Sequence, residues 1–83
     1  MRYTAKVLEG KINYVNAYMK RFNVRVHDRG GIAHNVYIEH YTSGQWIPKK
    51  IVACGSPRDC VYQLESFMEC FFTLQQANAI VEA

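Results

Sequence analysis

The sequence contains no apolar run near the ~20 residues of a membrane-spanning helix. It has no Gly-rich phosphate loop, no Cys-x-x-Cys pair and only two prolines. Each absence removes a class of function. Met1-Arg2 is followed by alternating polar and apolar residues and not by the apolar core of a signal peptide, so the expected location is cytoplasmic, with no membrane partner. The cysteines, Cys54, Cys60 and Cys70, are odd in number. Without a secretion signal they predict buried, reduced thiols and no disulfide framework. His27, His34 and His40 do not combine with them in any zinc-ligand spacing, so neither a metal nor a cofactor is expected. No Ser, His and acid arrangement stands out. A Cys54 nucleophile with His34 or His40 would need a desolvated cleft that a thin core does not offer. Glu65 and Glu69 are one turn apart on a polar helix face. The chain therefore reads as non-enzymatic.

What is present is a single small domain. The 83 residues are 49% hydrophobic and 20% charged, the composition of an ordinary globular protein. A domain of this size buries roughly 60–65% of the surface of its unfolded chain, so its core is thin. The formal charge is +3 and is unevenly spread. Residues 1–31 carry Arg2, Lys6, Lys11, Lys20, Arg21, Arg25 and Arg29 against Glu9 and Asp28, and residues 51–83 carry Arg58 against Asp59, Glu65, Glu69 and Glu82. A basic front and an acidic rear exclude a DNA mimic and allow a polyanion to be attracted on one side.

Periodicity gives the architecture. Tyr3, Ala5 and Val7 alternate, which predicts a short strand ending at Glu9-Gly10. Leu8, Ile12, Val15, Met19 and Phe22 step by three and four, which predicts an amphipathic helix over about residues 10–21. Continued strand is the competing reading, since Ile12-Asn13-Tyr14 also alternates. Phe22, Val24 and Val26 then alternate with Asn23, Arg25 and His27. Asp28-Arg29-Gly30-Gly31 supplies a turn, Ile32 to Tyr41 a second strand, Thr42-Ser43-Gly44-Gln45 a second turn and Trp46 to Cys54 a third strand. Pro48 lacks a backbone donor and places that third strand at an edge, or near its own start. Ser56-Pro57-Arg58-Asp59 has the chemistry of a helix start, with Ser56 as N-cap. The stripe that follows is Val61, Leu64, Met68, Phe71 and Phe72, widened by Phe67 and Leu74. It blurs at Gln75, Gln76 and Asn78, where the helix is expected to break or to pack elsewhere. The predicted fold class is α+β, with a three- to four-stranded antiparallel meander packed against one long C-terminal helix and an N-terminal helix.

If Val24, Val26, Val36 and Ile38 face the helices, then Arg25, His27, Tyr37, Glu39 and Tyr41 face outward. With Lys49 and Lys50 they form the candidate partner-binding set. Tyrosine and arginine give large contact area at low entropic cost. The same residues also occur on sheets that stack bases.

Several stretches resemble the small type I-F anti-CRISPR proteins of phages. They are Met1-Arg2-Tyr3, Ile12-Asn13-Tyr14-Val15-Asn16, Val26 through Gly30, Ile38-Glu39 with Gly44 and Ile47 beyond it, and Gln63-Leu64-Glu65-Ser66-Phe67. They occur in the same order, with gaps, over about a quarter of the chain. The resemblance implies binding to the backbone subunits of a host CRISPR surveillance complex, through sheet tyrosines and a glutamate, in the host cell cytoplasm. Glu39 is the matching glutamate. His27 stands where the family has a sheet tyrosine, and Lys6 and Val7 lie near the position of another. The leading expectation is thus a protein-binding inhibitor whose partner is a host protein complex. The alternative is a nucleic-acid-binding domain resembling a double-stranded RNA-binding fold. Arg58-Asp59 with Glu65 and Glu69 stand where that fold carries a lysine cluster. A third reading is a homodimer whose function is assembly.

Overall fold

A computed structural model describes the backbone of residues 2–31 and 33–82 and the side chains as far as Gln76. Helix α1 (Ala5–Met19) ends in a 3-10 turn (Lys20–Phe22). Strands β1 (Val24–Asp28), β2 (His34–Thr42) and β3 (Gln45–Gly55) follow, and helix α2 (Pro57–Glu82) completes the order. The strands form one antiparallel meander in the order β1-β2-β3. This is a small α+β fold, a sheet with one face under two helices.

The N-terminal strand expected at Tyr3–Val7 is helical instead. Thr4 is the reason: its hydroxyl accepts from the Val7 amide at 3.3 Å and its carbonyl accepts from Leu8 at 3.1 Å. That cap brings Val7 and Leu8 into the same stripe as Ile12, Val15 and Met19. Burying one longer stripe outweighs a two-period alternation. Gly10 does not interrupt the helix, because it lies on an open side with nothing near its absent Cβ. The helix stops at Lys20–Phe22, where Asn23 takes a left-handed conformation (φ 57°) and redirects the chain into β1. Phe22 therefore belongs to the turn, not to the first strand.

Both predicted turns form. Ser43 and Gly44 have φ of 54° and 81°, the pair of positive values that a two-residue hairpin turn needs to match strand twist. At the other turn Asp28 is the organiser. Its Oδ1 accepts from the Gly30 amide at 2.8 Å and from the Asn35 amide at 3.2 Å. Pro48 does lie on an edge strand. There β3 departs from simple pairing twice, with Val52 and Lys49 each inserted as an extra residue opposite β2.

The core lies between sheet and helices. Leu8, Val15 and Met19 of α1 meet Val26, Val36 and Ala53 of the sheet and Cys60, Val61, Leu64 and Met68 of α2. Ser56 caps α2 through its Oγ, which accepts from the Asp59 amide at 3.2 Å. The helix does not break after Phe72 but continues to Glu82. Leu74, expected in the stripe, is 64% exposed, because α2 has turned its apolar face past α1 by then. Of the three thiols only Cys60 is buried; Cys70 is exposed because it falls off that stripe, and Cys54 because it alternates with the buried Ala53 on β3. Burial pushes the Cys60 thiol up, which keeps it protonated and unreactive.

The two helices run parallel. Tyr3 meets Tyr62, Lys11 reaches Glu65 at 3.4 Å, Tyr18 packs on Phe72 and Phe22 on Phe71. Their outward side is rich in tyrosine: Tyr14, Tyr18 and Tyr62 are 44–48% exposed. No helix among the described residues is long and apolar enough to cross a membrane.

Candidate functional site

Strand alternation puts Val24 and Val26 on the helix side of β1 and sends Arg25, His27 and Arg29 to the other face. The β1–β2 register sets Arg25 opposite Glu39 and His27 opposite Tyr37. The β2–β3 register sets Tyr41 opposite Trp46 and Glu39 opposite Pro48. The outward row is therefore assembled by pairing alone.

At its centre lies Glu39, which has no exposed surface at all. A carboxylate excluded from water needs its charge matched and its lone pairs used. Both conditions are met. Arg25 Nε donates to Oε1 at 2.8 Å and Arg29 Nε donates to Oε2 at 2.9 Å, with Arg29 Nη2 in ion-pair contact with the same oxygen at 2.7 Å. The cover is only one side chain thick, because Arg25 and Arg29 keep 34% and 45% of their side chains in solvent. The dehydration cost thus falls mainly on Glu39. Burial pushes its carboxyl up, but the hydrogen bonds from the two guanidiniums outweigh it and hold Glu39 below the usual carboxylate value.

Each arginine is fixed on its other side by an aromatic ring. The Arg25 guanidinium lies 4.5 Å from the Trp46 ring centre, and that of Arg29 5.9 Å from the Tyr37 ring centre. Tyr41 packs against Trp46 with centroids 5.2 Å apart. The result is a continuous platform, Tyr41–Trp46–Arg25–Glu39–Arg29–Tyr37, held by two charge-assisted hydrogen bonds, a further ion-pair contact and two cation–π contacts. Its charged members sum to +1.

Arg25, His27, Tyr37, Glu39 and Tyr41 thus come together on one face, as the alternation requires, with Tyr41 and His27 exposed and Arg25 and Tyr37 half-buried. Glu39 is not presented to solvent; it is the anchor beneath the arginines. Lys49 and Lys50 are exposed on β3, at the opposite edge of the sheet from Arg25 and His27. Two members were not anticipated. Arg29 shares the parity of Arg25 and His27, but the glycines after it made it look like part of the turn. Trp46 follows from counting back across the Ser43-Gly44 turn, which pairs residue 42 with 45 and 41 with 46.

Beside the platform, Asp28 Oδ2 lies 2.6 Å from His34 Nδ1. Burial raises the Asp28 carboxyl, but the hydrogen bonds from His34 and from the Gly30 and Asn35 amides outweigh it, leaving it below the usual carboxylate value. This pair fixes the β1–β2 turn. Among the described residues no group of three or more His, Cys, Asp or Glu side chains is placed to hold a metal ion. No family model matches the chain, and neither a curated protein nor a solved structure does.

Proposed function

We propose that this chain is a non-enzymatic protein-binding module that docks through the outer face of its sheet and acts by steric obstruction. The observation that carries the reading is the Arg25–Glu39–Arg29 cluster. A buried carboxylate and two stacked rings hold the arginines in one geometry before any partner arrives, which lowers the ordering cost of association. The rings point to protein more than to nucleic acid. Trp46 and Tyr37 each already carry a guanidinium, so neither is open to stack bases on that side. Glu39 also cancels much of the positive charge that phosphates would use.

The resemblance to type I-F anti-CRISPR proteins supplies the finer proposal: the partner is a host CRISPR surveillance complex, and the sheet face blocks its access to target DNA. The test uses purified type I-F surveillance complex. Excess protein is expected to abolish target-DNA binding, and Tyr37→Ala or Tyr41→Ala to weaken this roughly thirtyfold, as for a central interface tyrosine worth ~2 kcal/mol. Circular dichroism checks that both variants remain folded. Unaffected DNA binding removes the CRISPR target. A folded tyrosine variant that captures the same partner as the parent removes the sheet face as the site. A partner lost on nuclease treatment replaces the reading by nucleic-acid binding.

A further inference from the structure

The platform continues around the β1 edge into a groove, and the groove specifies the chemistry of what enters it. It lies between the last turn of α1 and the β1 edge, and has a volume of ≈ 540 Å³. That is within the range of small-ligand pockets, roughly 300–1,000 Å³. Its walls include Ala17 of α1, Lys20 of the 3-10 turn, Val24 and Arg25 of β1, Tyr41 of β2 and Trp46 of β3. The surface is mostly carbon. The charged groups that reach it are of one sign: Lys20 and Arg25 are cationic, the polar Asn16 and Asn23 are neutral, and no acidic side chain lines it. Ala17 and Lys20 also wall a neighbouring depression with Arg21, which adds a third cation.

Arg25 has donor capacity left over. It reaches Glu39 through Nε, and its two Nη groups make no hydrogen bond to the described residues. Held between Glu39 and the Trp46 ring, the planar guanidinium has that Nη pair free, the donor pair that matches a carboxylate with two parallel bonds. The backbone contributes as well. The Tyr41 amide donates to the Asn23 carbonyl, and both polar backbone groups of Val26 face the opposite way, to the Asn16 side chain. Alternation therefore turns the Val24 amide and carbonyl toward the open edge, beside the groove.

We infer that this groove takes an acidic segment of the protein partner, seating one large apolar side chain on Trp46 and Tyr41 while flanking carboxylates meet Arg25 and Lys20. The inference rests on the sheet-face reading and names the partner chemistry at one end of that face. A nucleic acid is disfavoured here on charge: Arg25 is already paired through Nε with the Glu39 carboxylate, which cancels part of the positive charge that a run of phosphates would use.

Trp46 is the chain's single tryptophan, so its fluorescence and its indole N–H resonance report on the groove directly. The probe is the blocked pentapeptide Glu-Glu-Phe-Glu-Glu, with Glu-Glu-Ala-Glu-Glu, Lys-Lys-Phe-Lys-Lys and an oligothymidylate as comparisons. The first peptide is expected to shift the Trp46 indole and the Val24 amide saturably, and the alanine and lysine peptides to bind at least about fivefold more weakly. Lys20→Glu, on an exposed side chain outside the Glu39 cluster, should weaken the first peptide about fivefold. Ala17→Tyr fills the groove and should abolish binding. Tyr37→Ala should leave the peptide untouched while weakening the macromolecular partner. Absence of any shift at millimolar peptide, equal binding of the lysine peptide, or preference for the oligothymidylate overturns the inference. If the groove fails while Tyr37→Ala still loses the partner, the sheet-face reading stands. If the peptide binds but Tyr37→Ala costs nothing, the groove stands and the sheet face does not.

Discussion

The two edges of the sheet are closed by the same chemical device and defended to different depths. At the β1 edge, Asn16 from α1 lies alongside Val26. Its Oδ1 accepts from the Val26 amide at 2.7 Å and its Nδ2 donates to the Val26 carbonyl at 3.0 Å. At the β3 edge, Gln63 from α2 does the same to Cys54, accepting at 3.3 Å and donating at 2.7 Å. A carboxamide is a peptide group on a side chain, so each imitates one residue of a further strand. The β1 edge is five residues long, and its clamp sits at the middle residue. The β3 edge is eleven residues long, and its clamp reaches only the second-to-last. The rest of β3 is guarded by Pro48, by the extra residues Lys49 and Val52, and by the charges of Lys49 and Lys50, all features that discourage another strand from pairing. On the short edge one side chain covers the middle and leaves only the Val24 end open; the long edge has its clamp near one end and obstruction along the remainder.

Breaking the shorter seal should cost most. Asn16→Ala leaves a partly buried amide and carbonyl on β1 without partners, an expected loss of ~2 kcal/mol. For a domain of this size that lowers the melting temperature by roughly 8–16 °C. Asn16→Asp keeps the acceptor for the Val26 amide and removes the donor to its carbonyl, so its midpoint should fall between wild type and alanine. A melting temperature unchanged in Asn16→Ala would show that water replaces the clamp at no cost.

Acid should come next. Glu39 and Asp28 both lie below their ordinary carboxylate values in the folded state. A depressed folded value means that the stabilisation is complete above the unfolded values, about 4.3 and 3.9, and is lost as pH falls through the folded ones. Urea midpoints should hold from pH 7 to about 5 and then decline. In Glu39→Gln the decline should be shallower, because one of the two linked protons is gone. An identical acid profile in that variant would remove Glu39 from the account.

At the longer edge the effects shrink. Gln63→Ala should cost only ~1 kcal/mol, since the Cys54 side of the sheet is open to water, and Ser56→Ala should cost about the same through loss of the α2 cap. Lys49→Thr with Lys50→Thr should change stability by less than ~0.5 kcal/mol, as surface changes do. It should show instead as self-association in analytical ultracentrifugation, whereas a strictly monomeric double variant would mean that Pro48 and the two extra residues guard the edge unaided.

Much of the edge architecture is legible from residue type and little of it from pattern. Pro48 announces an edge because a missing amide has only one tolerable place. Ser43-Gly44 and Ser56-Pro57 announce a turn and a helix start because their conformational preferences are local. Parity alone puts Arg25, His27, Tyr37, Glu39 and Tyr41 on one face. Asn16 and Gln63 are invisible by contrast. A carboxamide on a half-polar helix face looks like any solvated side chain, and its partner is fixed only once helix and strand are docked. The burial of Glu39 is hidden for the same reason: it depends on Arg29, four residues beyond Arg25 and disguised by the turn after it. The N-terminal segment misleads because three alternating residues cannot outvote a stripe of five, and the stripe is recognisable only when Thr4 is seen as its cap.

The parallel pairing of α1 and α2 also bears on the order in which the chain can fold. Tyr18 and Phe22 find their aromatic partners at Phe72 and Phe71, roughly fifty residues further along, whereas each hairpin of the meander closes over a turn of a few residues. Loop-closure entropy favours the near contacts first. The meander and the Asn16 clamp on β1 can form while α1 still has one flank bare, and α2 closes that flank last. Stability gained at Phe71 and Phe72 should therefore slow unfolding without hastening folding, while stability gained at the Ser43-Gly44 turn should do the reverse.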